Sequence, residues 1–150
     1  MKTPYKALTL NLISKNKAES FNANDKVFID RRDDTKFNHS QIINDEEVFQ
    51  YLKSKGFSKY KVGELPFKNQ IHLFHNAKII IGPHGAAFAN LAFCKPQTKV
   101  IEFKPFNHPT VVNKRISEIN NLNYKLIESP SFKNQKGDIL IDLNMLKKII

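Results

Sequence analysis

The stretch KIIIGPHGAAFANLAF, Lys78–Phe93, decides how the rest of the chain is read. Ile79, Ile80 and Ile81 form a short β-branched run that is apolar on both faces, the signature of a strand buried inside a parallel sheet. Gly82 and Pro83 end the run, and Gly85, Ala86 and Ala87 open a segment of small residues. The pattern predicts a strand, a tight turn and the first turn of a helix. Helix N-termini carry N–H groups without intrahelical acceptors and the positive end of the dipole. Where the side chains are hydrogen or methyl, an anion can reach those amides.

The flanking sequence repeats the same alternation. Toward the N-terminus, Lys26–Asp30 (KVFID) reads as a buried strand. Asn44 and Glu47 have capping-box spacing, with Asp45 and Glu46 suited to a first helical turn. Val48, Phe49 and Leu52 give that helix an apolar face, and Gly56 ends it. Tyr60–Leu65 reads as a weaker strand. Pro66 then starts a helix that buries Phe67, Ile71 and Phe74. Toward the C-terminus, Lys99–Phe103 (KVIEF) is a strand, and residues 111–122 a helix with Val111, Val112, Ile116 and Ile119 apolar. Tyr124–Ile127 and Ile139–Leu143 read as short strands and Met145–Ile150 as a closing helix. Residues 1–25 are expected to form a helix and an Asn-rich linker, ahead of one domain over 26–150. Strands alternating with helices predict an α/β fold, a mostly parallel sheet between two helical layers.

Length and composition agree with that expectation. The chain has 150 residues, 41% of them hydrophobic, with 12 phenylalanines, which suits one domain and argues against a disordered tail. No run is long enough for a membrane-spanning helix, and the N-terminus does not resemble a signal peptide. Cys94, the single cysteine, excludes an internal disulfide and reads as core packing. A reducing, cytoplasmic setting is the expectation. The 24 Lys and Arg against 14 Asp and Glu give a formal charge of +10, a balance that attracts polyanions and anionic membrane surfaces. Three of those cations are arginines, Arg31, Arg32 and Arg115, and the lysines are scattered. Sequence-specific nucleic acid readers rely on arginine forks, so no specific nucleic acid binding is expected. His72 and His75 read as a polar helix face, and Asp33 and Asp34 as turn residues.

In an open parallel sheet, ligands bind beyond the carboxyl ends of the strands. That rule directs attention to Arg31, Arg32, Pro83, His84, Gly85 and Glu102. The backbone of Gly82, Gly85, Ala86 and Ala87 suits a diphosphate, and the His84 ring can donate to the same anion. Arg31 and Arg32 offer cationic forks for phosphate. Glu102 can accept from two vicinal ribose hydroxyls. Together these groups match a nucleotide diphosphate. Each also has a plainer reading: a tight turn for Gly82 and Gly85, a helix N-cap for His84, an exposed strand-end carboxylate for Glu102. The dinucleotide, Walker and nucleophile-elbow motifs are absent, and there is no D-x-D triplet.

The order FIDRRD, INDEEVFQYLKSKGF and ELPFKNQIHLFHNAKIIIGPHGAAFANLAFCKPQTKVIEF resembles the C-terminal half of family-61 glycosyltransferases. The group includes plant xylan pentosyltransferases, animal O-linked N-acetylglucosaminyltransferases and bacterial capsular polysaccharide enzymes. The resemblance implies one Rossmann-like half of a GT-B fold, binding a nucleotide-sugar donor such as a UDP-sugar for transfer, with inversion, to a glycan acceptor. It implies donor-phosphate contacts from Arg31, His84, Gly85 and Ala86, a site role for Asn90, and Glu102 near the ribose. His84 is also the candidate for a catalytic residue. Members usually carry a further basic residue before the capped helix, where Lys36 or His39 stands here. The acceptor domain is expected on a longer chain or a partner subunit. No metal ligand set is implied, and the alternative is a non-catalytic nucleotide-binding module. A cytoplasmic protein, peripheral at the inner membrane surface, fits the charge.

Overall fold

The computed structural model describes residues 4–16, 21–32, 40–106, 108–129 and 138–150. Five strands form one sheet: β1 Lys26–Ile29, β2 Ser58–Tyr60, β3 Ile79–Pro83, β4 Lys99–Pro105 and β5 Asn123–Ser129. Their order is β2-β1-β3-β4-β5, and every pair is parallel. The helices are α1 Pro4–Lys15, α2 Asp45–Ser54, α3 Phe67–Asn76, α4 Val112–Ile119 and α5 Leu143–Ile149.

Alternation along the strands divides the interior into two cores. Val27, Ile29, Ile80 and Val100 face one side, where Ile71 and Phe74 of α3 and Leu12 of α1 meet them. Phe28, Ile81, Ile101 and Phe103 face the other, against Val48 and Leu52 of α2 and Leu146 of α5. The result is a Rossmann-like three-layer α/β sandwich, as the alternation predicts. The chain runs outward from β1 to β2 and then crosses back to β3. The sheet therefore reverses its winding between β1 and β3, and a crevice opens at their carboxyl ends.

Gly82 serves this crevice from inside β3. A Cβ placed there would lie 2.7 Å from the Ile29 Cβ, so the glycine lets β1 and β3 approach at the switch. Gly82→Ala is expected to destabilise the fold by about 1–3 kcal/mol through overpacking. A urea midpoint equal to the parent's would refute that close approach.

Several elements differ from expectation for identifiable reasons. The strand expected over Tyr60–Leu65 lies earlier, at Ser58–Tyr60, and Val62–Glu64 winds into a 3₁₀ turn. The segment Ile139–Leu143 adds no strand to the sheet: Ile139 makes one bridge to Ile42, and α5 begins at Leu143. Asn44 occupies the N-cap position of α2, but its side chain makes no capping bond. Instead it accepts from the Ile141 N–H at 3.1 Å and donates to the Ile141 carbonyl at 2.9 Å, tying the α5 approach to α2. Gly56 does end α2, at φ +85°, with its own N–H on the Lys53 carbonyl and that of Phe57 on Leu52.

Phe67 is exposed, its ring edge-on to Phe93. Of the apolar residues expected on and before α4, Ile116 packs against the core. Val111, Val112 and Ile119 are exposed, while Asn113 and Ser117 are buried. Among the described residues no helix is long and apolar enough to cross a membrane.

Candidate functional site

The helix expected after β3 is present and is of the 3₁₀ type, Ala86–Phe93. Three residues per turn align positions three apart. Phe88, Leu91 and Cys94 therefore fall on one side and are buried in the core. Ala87 and Asn90 fall on another side and line a cleft of about 340 Å³, together with Ala86, Asp30, Arg31, Val62, Gly63 and Gln70. Burial pushes the Cys94 thiol far above its ordinary pKa, which keeps it a packing group, as its sequence context suggests.

The cleft lies at the reversal between β1 and β3. Arg31 follows β1 and reaches across, its guanidinium Nη1 donating to the backbone carbonyl of His84. A Cβ on Gly85 would stand 2.6 Å from that nitrogen, so the glycine leaves the lane the arginine occupies. Gly85 is the N-cap of the 3₁₀ segment, and its carbonyl receives the first helical bond, from Phe88. The amides of Ala86 and Ala87 precede that bond and have no acceptor within the helix. Arg31, Ala86, Ala87 and Asn90 are thus brought together on one cleft.

Arg32 points elsewhere. Its Nε and Nη2 bind the Asp30 carboxylate, at 3.0 and 2.7 Å, and Nη2 lies 3.4 Å from Asp45 at the start of α2. Asp45 in turn pairs with Lys59 at 2.5 Å, whose ammonium sits 4.3 Å from the Phe49 ring centre. Burial would raise the Asp30 pKa, but the Arg32 hydrogen bonds outweigh it and hold the carboxyl below its usual range. The Asp30 bonds raise Arg32 correspondingly. Arg32 therefore locks β1 to α2, and its charge is already matched by two carboxylates.

His84 and Glu102 form a second cluster, behind the Gly85 turn. Glu102 lies on the α4 side of the sheet and is 2% exposed. One carboxylate oxygen receives the His84 Nδ1 and Asn113 Nδ2 at 2.8 Å, and the other receives the Tyr124 hydroxyl. The His84 ring packs 4.3 Å from that of His108. Burial disfavours the charged carboxylate, yet the bonds from His84, Tyr124 and Asn113 prevail and hold Glu102 below the ordinary carboxylate range. Burial and the same anion raise the Tyr124 pKa. Neither His84 nor Glu102 lines the cleft. The ribose contact expected of Glu102 meets oxygens already engaged, and its exposed alternative is excluded by burial.

These features can be set beside known proteins. The glycosyltransferase 61 family model matches residues 1–101, including β1, the Arg31 end, β3 and the Gly85 turn. The chain belongs to glycosyltransferase family 61. A β-1,2-xylosyltransferase of Oryza sativa subsp. japonica is 26% identical over 118 residues, covering 73% of this chain and 22% of the relative. The chain thus spans about a fifth of that relative's length.

Within this family-61 chain, sequence reading missed Asp30, Val62 and Gly63 as cleft residues and the Asn113 and Tyr124 partners of Glu102. Asp30 follows an apolar strand and could have been found by the strand-end rule that selected Arg31. Asn113 gives no such signal, because its place depends on which face of α4 turns inward. Asp33, Asp34, Lys36 and His39 lie outside the described residues. Among the described residues no group of three or more His, Cys, Asp or Glu could hold a metal ion. His72 abuts the Phe21 ring, and His75 Nδ1 lies 3.1 Å from the Phe93 carbonyl.

Proposed function

We propose that this chain holds the nucleotide diphosphate sugar of a glycosyl transfer reaction, with a uridine nucleotide as the donor, for transfer to a glycan or polysaccharide acceptor. One observation carries the reading. A cationic fork and two helix-start amides converge on a cleft at the sheet's topological switch, where a diphosphate finds both charge and donors. Family membership supports glycosyl transfer as the chemistry.

In that reaction the acceptor oxygen bonds to the anomeric carbon as the bond from that carbon to the diphosphate breaks. The bonding electrons leave with the diphosphate. Arg31 and the Ala86 and Ala87 amides stabilise that charge, and one well-placed donor of this kind is worth about 3–4 kcal/mol of barrier. Glu102 holds the His84 ring by Nδ1 and leaves Nε2 as the nitrogen that can face a ligand. His84 serves the phosphate end through its backbone carbonyl, which anchors Arg31. The acceptor proton goes to a base supplied by a second domain or a partner subunit, in the GT-B manner. Action in the cytoplasm at an inner membrane surface is in keeping with the +10 charge.

A second reading, a nucleotide-binding module without its own turnover, is favoured by one fact. Asp30 and Glu102, the buried carboxylates nearest the cleft, are both committed to internal hydrogen bonds, so neither is poised as a base. Titration calorimetry with UDP and UDP-xylose tests the shared claim: saturable binding that inorganic pyrophosphate displaces is expected. Absence of binding at millimolar ligand would overturn it. Sugar transfer or donor hydrolysis by the pure chain separates the first reading from the second.

A further inference from the structure

The cleft has an amide relay on one wall. Gln70 Nε2 donates to the Leu65 carbonyl at 2.9 Å. A backbone carbonyl can only accept, so this bond fixes which way the Gln70 amide points. Its Oε1 then receives Asn90 Nδ2 at 3.1 Å, and the same Nδ2 reaches the Ala87 carbonyl at 3.2 Å. An asparagine amide nitrogen has two hydrogens, and both are spent on these acceptors. The relay is anchored at each end by main chain, so neither amide can turn over without breaking two bonds. What Asn90 has left for the cleft is Oδ1, an acceptor.

We infer that Asn90 reads a hydroxyl of the ligand, not its phosphates, and that Gln70 is the positioning residue that makes it do so. A carbonyl oxygen next to a phosphate oxygen is acceptor against acceptor, and repels. A ribose or sugar hydroxyl supplies the missing hydrogen. The cleft is then sorted into an anion end, Arg31 with the Ala86 and Ala87 amides, and a hydroxyl end at Asn90 and Gln70. Both ends lie on the same lining. This inference rests on the donor-binding reading above but assigns Asn90 a chemistry different from the anion contacts around it.

The test compares Asn90→Ala, Gln70→Leu and Arg31→Ala with the parent, each checked for an unchanged thermal melt, using inorganic pyrophosphate, UDP and UDP-xylose as probes. Loss of one neutral hydrogen bond predicts that Asn90→Ala weakens the hydroxyl-bearing ligand by about three- to tenfold. Its pyrophosphate affinity stays within about twofold of the parent's. A loss already present with UDP places the hydrogen-bond donor on the nucleoside, and a loss confined to UDP-xylose places it on the transferred sugar. Gln70→Leu, which removes the acceptor that orients Asn90, should show the same pattern more weakly, because Asn90 is then free to turn. Equal losses for pyrophosphate and UDP-xylose in Asn90→Ala, or no loss for any probe, would overturn the inference. Arg31→Ala is the separate control. If it leaves pyrophosphate binding intact, the donor-binding reading fails, whatever Asn90 does.

Discussion

Gly85→Ala is expected to weaken UDP binding by about ten- to a hundredfold, as much as Arg31→Ala does, in a chain that remains folded. The added methyl would stand 2.6 Å from Arg31 Nη1, 2.8 Å from Cζ and 2.9 Å from Cδ, all inside contact distance. Gly85 itself has φ 168°, extended backbone that alanine adopts without strain. What must move is therefore the far end of a long side chain, and the sheet beneath is untouched. Moving it separates the guanidinium from the His84 carbonyl and from the cleft wall. Charge-assisted contacts are about twice as strong as neutral ones, which sets the expected range. Calorimetry with UDP measures the loss, and a thermal melt shows whether the fold survives. The double variant Gly85→Ala/Arg31→Ala should be no weaker than either single one, because both remove the same contact. Additive losses would mean that the glycine serves the ligand directly, through backbone approach, and that the arginine lane is incidental.

The glycine illustrates what a sequence can and cannot convey. The strand–turn–helix order around Ile79–Phe93 was legible because buried parallel strands are apolar on both faces, and the ends of such strands mark the ligand side. That rule pointed to Arg31 and the small-residue helix start to Ala86 and Ala87, all three on the cleft, whereas Asn90 was indicated only by the family resemblance. The sequence pattern could not separate Arg31 from its neighbour Arg32, because their destinations depend on Asp30 and Asp45, one before the pair and one on another element. It also read the apolar residues of α4 as the inward face. The carboxylate of Glu102 overrides that pattern: a buried anion needs donors, and Asn113 supplies one, leaving Val112 and Ile119 exposed. The 3₁₀ winding of Ala86–Phe93 was not legible, because apolar residues three apart, such as Phe88 and Leu91, suit an α-helix equally well.

Glu102→Gln is expected to cost about 1–3 kcal/mol of stability at pH 7, the range for leaving a buried hydrogen-bonding group unsatisfied. The amide keeps the size of the carboxylate but offers one acceptor where three donors converge, from His84, Asn113 and Tyr124. Its NH₂ must face one of them. The pH dependence makes the claim specific. The folded Glu102 titrates below the ordinary carboxylate value, through bonds that outweigh its burial. An unfolded glutamate titrates near about 4.3. The unfolded chain therefore takes up the proton first as the solution is acidified. The contribution is complete above about 4.3 and drains away as the pH falls from there through the folded value. Urea unfolding of the parent and Glu102→Gln at pH 7 and at successively lower pH should show a gap that narrows on acidification. Tyr124→Phe, which removes one donor and leaves the other two, should lose less at pH 7, and its acid loss should begin where the parent's does but be smaller and finish at a higher pH. A gap between parent and Glu102→Gln that stays constant from pH 7 into the acid range would show that Glu102 is not held as an anion, and with it would go the argument that the polar face of α4 is turned inward by that charge.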